Sequence, residues 1–265
     1  MNIEQFRKRW IRYHKQYERL AYTAFIKSIR ETANKIPFNF LTEENYKGTI
    51  DKTINIEEIT MAYFNVYNEV GVIHGARVGK SINRQIKEFT LKGFLSVFER
   101  NLLDWLFKNS SFRITSVKNT LTSYLQEIIS FGIAEGKTMS ELSTDLHRLI
   151  NQKNFYRWQA LRIARTETTA AANYASVVAS DVSGVESEKV WVSAHDARTR
   201  IPPESKFNHY VMDKVRVDFD KKFNVSGELL EFPGDPKASA GNVINCRCTV
   251  AVVPKRDSDG NIVIA

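Results

Sequence analysis

"TTAAANYASVVASDVSGVESEKVWVSA", residues 168–194, decides the fold. Up to Ser180 it continues a helical stretch that starts near Phe155. From about Ser183 the pattern changes, and "EKVWVSA" (188–194) alternates in period two as a β-strand does. Two further strand candidates follow, "DKVRVDFD" (213–220) and "VINCRCTVAVV" (243–253). Between them lie the turn-rich pieces "HDARTRIPPESKFNH" (195–209) and "EFPGDPKASAGN" (231–242).

Upstream of that point everything reads as helix. Residues 1–36 carry an apolar seam through Ile3, Phe6, Trp10, Tyr13, Tyr17, Leu20 and Ala24 that shifts to Phe25, Ile29 and Ala33, and Pro37 ends it. The seam predicts one amphipathic helix that buries these aromatics. A second helical pattern runs from about Ile56 to Phe89, a third over Phe94–Lys108, and a fourth over Ser116–Glu135, closed by Gly136. Thr138 with Glu141 forms a capping box that opens "MSELSTDLHRLI". The expected class is α+β, a long-helix N-terminal body followed by a small β-containing C-terminal module. The divisions read as 1–114 (helical body with a basic first helix), 115–182 (helices leading into the module) and 183–265 (the β-containing part). No solenoid repeat or low-complexity segment is present.

Composition narrows the class. Of the 265 residues, 43% are hydrophobic and 26% charged, values of a globular chain with an ample core. No apolar run approaches the roughly 18–20 residues of a membrane span, and no secretory h-region is visible at the N-terminus. Two cysteines exclude a disulfide scaffold, and a reducing cytosol is expected. The net charge of +8 is concentrated: residues 1–36 hold nine Lys/Arg against three Asp/Glu. Arg7, Lys8, Arg9, Arg12, Lys15 and Arg19 are therefore candidates for binding nucleic acid or an acidic partner.

"HGARVGKS" (74–81) imitates a phosphate-binding loop but fails it. Gly75 precedes Gly79 by four positions where five are needed, and no strand leads in. Gly71, Gly75 and Gly79 instead predict close approach of another helix.

Cys246 and Cys248 share a face if their segment is a strand, with Arg247 opposite. Their spacing aims them badly for a disulfide. With His195 or His209 they form a candidate zinc set, but without the spacing usual in structural zinc sites. Two packed core thiols are preferred, and no cofactor is expected. Catalysis would use His195, Asp196 and Glu167, yet no nucleophile elbow, glycine-rich loop or HExxH motif accompanies them, so no enzyme is expected. Glu167 is instead expected to pair with Asp196, Arg198 and Arg200 in a structural ion network.

"IARTETTAAANYAS", "VWVSAHDARTR", His209, "FPGDP" and "NVINCRCTVAVV" occur in this order, and over about residues 115–253 the chain resembles the phage head morphogenesis, or minor capsid, family of phage Mu protein F. Arg165, Thr166, Glu167, Trp191, Asp196, Arg198, Arg200, His209, Cys246, Arg247 and Cys248 carry the resemblance. It implies a low-copy structural protein of the phage head, located in the head interior or at the portal vertex and assembled in the host cytoplasm. Its implied partners are the portal protein and the major capsid or scaffold protein. Some relatives carry a toxin domain after the Cys-x-Cys signature. Here only residues 249–265 follow, and none is expected. The rival reading is a nucleic-acid-binding protein packaged or ejected with the genome.

Overall fold

The computed structural model describes residues 2–83 and 90–265. Helix α1 (Ile3–Ala33) starts where Asn2 caps Gln5 N–H and stops shortly before Pro37. A short α2 (Tyr46–Thr53) leads into α3 (Ile56–Asn83). The expected continuation of α3 to Phe89 lies outside the described residues.

Helix α4 (Leu91–Ala134) is one continuous helix of 44 residues where the sequence predicts two, and the expected divide at 114/115 falls inside it. The polar run around Ser110 reads as a break, yet Ser110 is fully buried and Ile114 belongs to the core. The end of α4 follows the sequence. Gly136 adopts φ +83°, its N–H reaches Ile133 O, and Lys137 N–H reaches Gly132 O, which closes a Schellman turn. The capping box of Thr138 and Glu141 opens α5 (Met139–Ile150), and α6 (Arg157–Asp181) follows.

The glycine expectation holds at two positions. A Cβ on Gly71 would lie 2.2 Å from the Phe98 ring, and one on Gly75 2.2 Å from the Phe94 ring. The bare backbone of α3 thus accepts the two stacked rings of α4.

Strand β1 (Ser187–Val192) is central in a three-stranded antiparallel sheet, flanked by β2 (Arg216–Asp218) and by β5 (Thr249–Pro254). Both flanking strands are shorter than the sequence predicts. A second hairpin, β3 (Phe223–Val225) and β4 (Glu228–Leu230), has no counterpart among the sequence expectations. Its turn, Ser226-Gly227, holds both residues at positive φ, as a two-residue hairpin loop requires. A single helical turn, α7 (Ala240–Val243), precedes the cysteines.

Helix α6 is the centre of the molecule. Its small residues, among them Ala164, Ala170, Ala171, Ala172 and Ala175, are fully buried. They let α1, α3 and β5 all pack against it. One face of the sheet joins this core through Trp191 and Val250, while Val190, Val192 and Ala251 on the other face meet Ile3 and Phe6 of α1. The buried stripe of α1 follows the expected seam in part. Trp10, Tyr17, Ala21, Phe25 and Ile29 are buried, whereas Phe6 and Leu20 are only partly so.

Candidate functional site: a cysteine–histidine cluster splinted by α6

Cys246 and Cys248 do not lie in a strand. After α7, Asn245 takes φ +59°, a left-handed conformation that Asn tolerates, and β5 starts only at Thr249. The backbone between needs hydrogen-bond partners that a strand would have supplied. Side chains of α6 provide them. Thr166 Oγ1 accepts Asn245 N–H at 3.0 Å, Thr169 donates to Cys246 O, and Asn173 Nδ2 donates to Cys248 O. Asn173 Oδ1 then accepts Val250 N–H at 2.9 Å, and its Nδ2 also holds Pro233 O of the "FPGDP" turn. There Gly234, at φ +83°, sits so close that a Cβ would meet Thr169 at 3.0 Å. Thr166, Thr169 and Asn173 recur at steps of three and four and form one polar stripe on a mostly buried helix. Sequence reasoning misses Thr169 and Asn173. That spacing within an alanine-rich helix is the available signal.

The two thiols still converge, because both flank an Arg247 that turns outward to Asp196 (2.6 Å). Both cysteines are 2% exposed, and both sulfurs face His209 Nδ1, at 3.5 and 3.6 Å. His209 is itself buried, with Trp191 edge-on to its ring. The tautomer follows from its other partners. The Glu228 carboxylate can only accept, so Asn242 turns its Nδ2 to Glu228 (3.0 Å) and presents Oδ1 to His209 Nε2 (2.7 Å). Nε2 therefore carries the proton, and Nδ1 aims its lone pair at the sulfurs. A hydrogen bond between the thiols holds Cys246 below and Cys248 well above the ordinary thiol range.

His195, the other histidine considered for zinc, is elsewhere. It stacks on Tyr210 at 4.7 Å and faces Asp213 Oδ2 at 3.5 Å. Arg200 caps the carbonyls of Gly241 and Ile244, and Arg198 is exposed.

The expected ion network of Glu167 with Asp196, Arg198 and Arg200 does not form. Glu167 is 2% exposed and pairs with Arg113 of α4 (2.8 Å), while Tyr67 donates to it at 2.7 Å. Burial raises its pKa, and the Arg113 charge opposes that. Arg165 pairs with Glu18 of α1 at 2.8 Å. Glu167, His195 and Asp196 thus have three different sets of partners and form no common catalytic constellation.

The basic face of α1 needs one correction. Arg7 is 5% exposed, donates Nε to Ser193 O, and pairs with Asp213 at 2.6 Å, so it is an internal bolt. Lys8, Arg9, Arg12, Lys15 and Arg19 are exposed. No described helix is long and apolar enough to cross a membrane.

Residues 124–251 match the family described as "Phage Mu protein F like protein", a span that begins in the second half of α4 and ends in β5. Over 160 residues the chain is 24% identical to the uncharacterized protein YqbB of Bacillus subtilis (strain 168), covering 59% of this chain and 50% of that protein. The chain thus spans about half the length of the curated relative it matches. No solved structure matches it. The α6 splint, the His209 loop and the Cys-x-Cys segment all fall within the matched span, and the C-terminal part of this chain matches the phage Mu protein F-like family.

Proposed function

We propose that this protein is a minor head protein of a tailed phage or prophage, acting structurally in head assembly at or near the portal. The observation that carries the reading is the family match over residues 124–251. The geometry agrees with a structural role, since the acid–base candidates are spent on internal pairs: Glu167 on Arg113 and Asp196 on Arg247. Its partners are the portal protein and the capsid or scaffold protein. Its place is the virion head, reached from the host cytoplasm. Co-expression with the portal protein, followed by pull-down and by cryo-EM of assembled heads, tests this. Density for the chain at the portal vertex is expected. A protein absent from both heads and portal complexes refutes the proposal.

A second reading has its own observation. Lys8, Arg12, Lys15 and Arg19 step by four, three and four along one exposed face of α1, as a phosphate-contacting stripe would. Removing α1 is no test of it, because α1 is part of the core. Replacing Lys8, Arg9, Arg12, Lys15 and Arg19 by Gln is the better experiment. A steep salt dependence of DNA binding that this variant loses favours the packaged, DNA-binding protein.

A further inference from the structure

Three metal-ligating atoms from two segments meet in the interior: Cys246 Sγ, Cys248 Sγ and His209 Nδ1, all within 4.8 Å of one another. We propose that they bind one zinc ion, with a water as the fourth ligand.

Four observations carry the site. Tetrahedral zinc at about 2.3 Å from sulfur and about 2.0–2.1 Å from nitrogen places those atoms about 3.6 Å apart, and the two S···N separations are 3.5 and 3.6 Å. The Asn242–Glu228 chain fixes the His209 tautomer with Nδ1 unprotonated, and ligating histidines are commonly oriented through their other nitrogen in this way. Burial agrees with the charge balance, because two thiolates and a neutral imidazole neutralise a divalent ion and leave no net charge in the core. A cavity of about 10 Å³ lies against the three ligands and is bounded by Asp196, Thr199 and Arg200. It holds roughly one water, and no fourth side chain is needed. Thiolate with imidazole selects zinc over the harder divalent cations. On binding, each thiol gives its proton to solvent.

The site stitches the segment after α7 to the loop after β1, where no strand pairing joins them. Its role is to fix the module, and it holds whether or not the protein sits at the portal.

The full chain, free of any affinity tag and purified under reducing conditions without added metal, is analysed for elemental content. One zinc per chain is expected. Cobalt replacing it should give thiolate-to-metal charge-transfer absorption. Cys246→Ala/Cys248→Ala, a small apolar replacement that keeps the packing, should lose the zinc while retaining its circular dichroism. Asn242→Ala should weaken zinc binding about 10–100-fold. A wild-type chain that holds no zinc and takes none up when zinc chloride is added overturns the proposal. So does zinc that survives in the double cysteine variant.

Discussion

Trp10 of the first helix donates its indole N–H to the carbonyl of Arg247, the residue between the two cysteines, at 2.7 Å across 237 positions of sequence. The segment that carries the Cys-x-Cys signature is therefore gripped from two sides, by α6 side chains and by α1. Trp10→Phe removes the donor and keeps most of the ring. It should destabilise the chain by about 1 kcal/mol, the worth of one partly buried hydrogen bond. Urea denaturation measures this, and an unchanged midpoint would show that the bond is dispensable.

The α3–α4 contact depends on missing side chains. Gly71→Ala or Gly75→Ala drives a methyl group into the Phe98 or Phe94 ring and should cost about 1–3 kcal/mol. A Cβ on Gly48 in α2 would meet nothing within 4 Å, so Gly48→Ala should stabilise by about 0.5–1 kcal/mol. Opposite signs in parallel melts are the expected signature. Equal effects would sink the packing argument.

Glu167→Gln leaves the largely enclosed Arg113 without its counter-charge and should cost about 3 kcal/mol. Removing both charges with Arg113→Met should recover most of that loss. If Glu167→Gln leaves the melting temperature unchanged yet abolishes a measurable reaction, the structural reading of Glu167 fails.

His14 and His74 flank Trp10, and burial holds both near a pKa of about 3, with the Arg247 and Arg77 charges adding to the effect. An unfolded chain protonates them near the ordinary value of 6.5. Between those limits the unfolded state binds more protons, so stability present above 6.5 is lost as pH falls toward 3. The loss is about 1.4 kcal/mol per pH unit for each histidine. Denaturant midpoints across this range should drop more steeply for the wild type than for His14→Gln/His74→Gln. Parallel slopes would contradict the burial argument.

Much of this architecture is readable from local rules. The Pro37 stop, the Gly136 turn and the Thr138 capping box each depend on neighbours a few residues away, and they are where expected. The misreadings share a different cause. Ser110 and Arg113 look like loop residues because their polarity is satisfied by, or buried against, distant elements. Arg7 looks like its five basic neighbours until Asp213 is brought beside it. The β3–β4 hairpin offers only three residues a side, too few for alternation to register. Cys246 and Cys248 read as strand because Val243 and Thr249–Val253 are strand-like on either side. The left-handed Asn245 that interrupts them has no such local mark. The convergence of His209 with both thiols depends on the α6 splint, which acts across some eighty positions of sequence.

The packing of α1 also bears on the order in which the fold can assemble during synthesis. Its residues are made before the carbonyl that Trp10 grips and the sheet face that Ile3 and Phe6 cover. Before β5 emerges, α3 and α6 can already cover Tyr17 and Phe25, but the first turns of α1 lack the carbonyl and the sheet face that they finally meet. The chain therefore cannot complete its core in strict order of translation, because the Trp10 end of α1 waits for a contact 237 positions away. Chaperone engagement of nascent chains should accordingly persist until the Cys-x-Cys segment has cleared the exit tunnel.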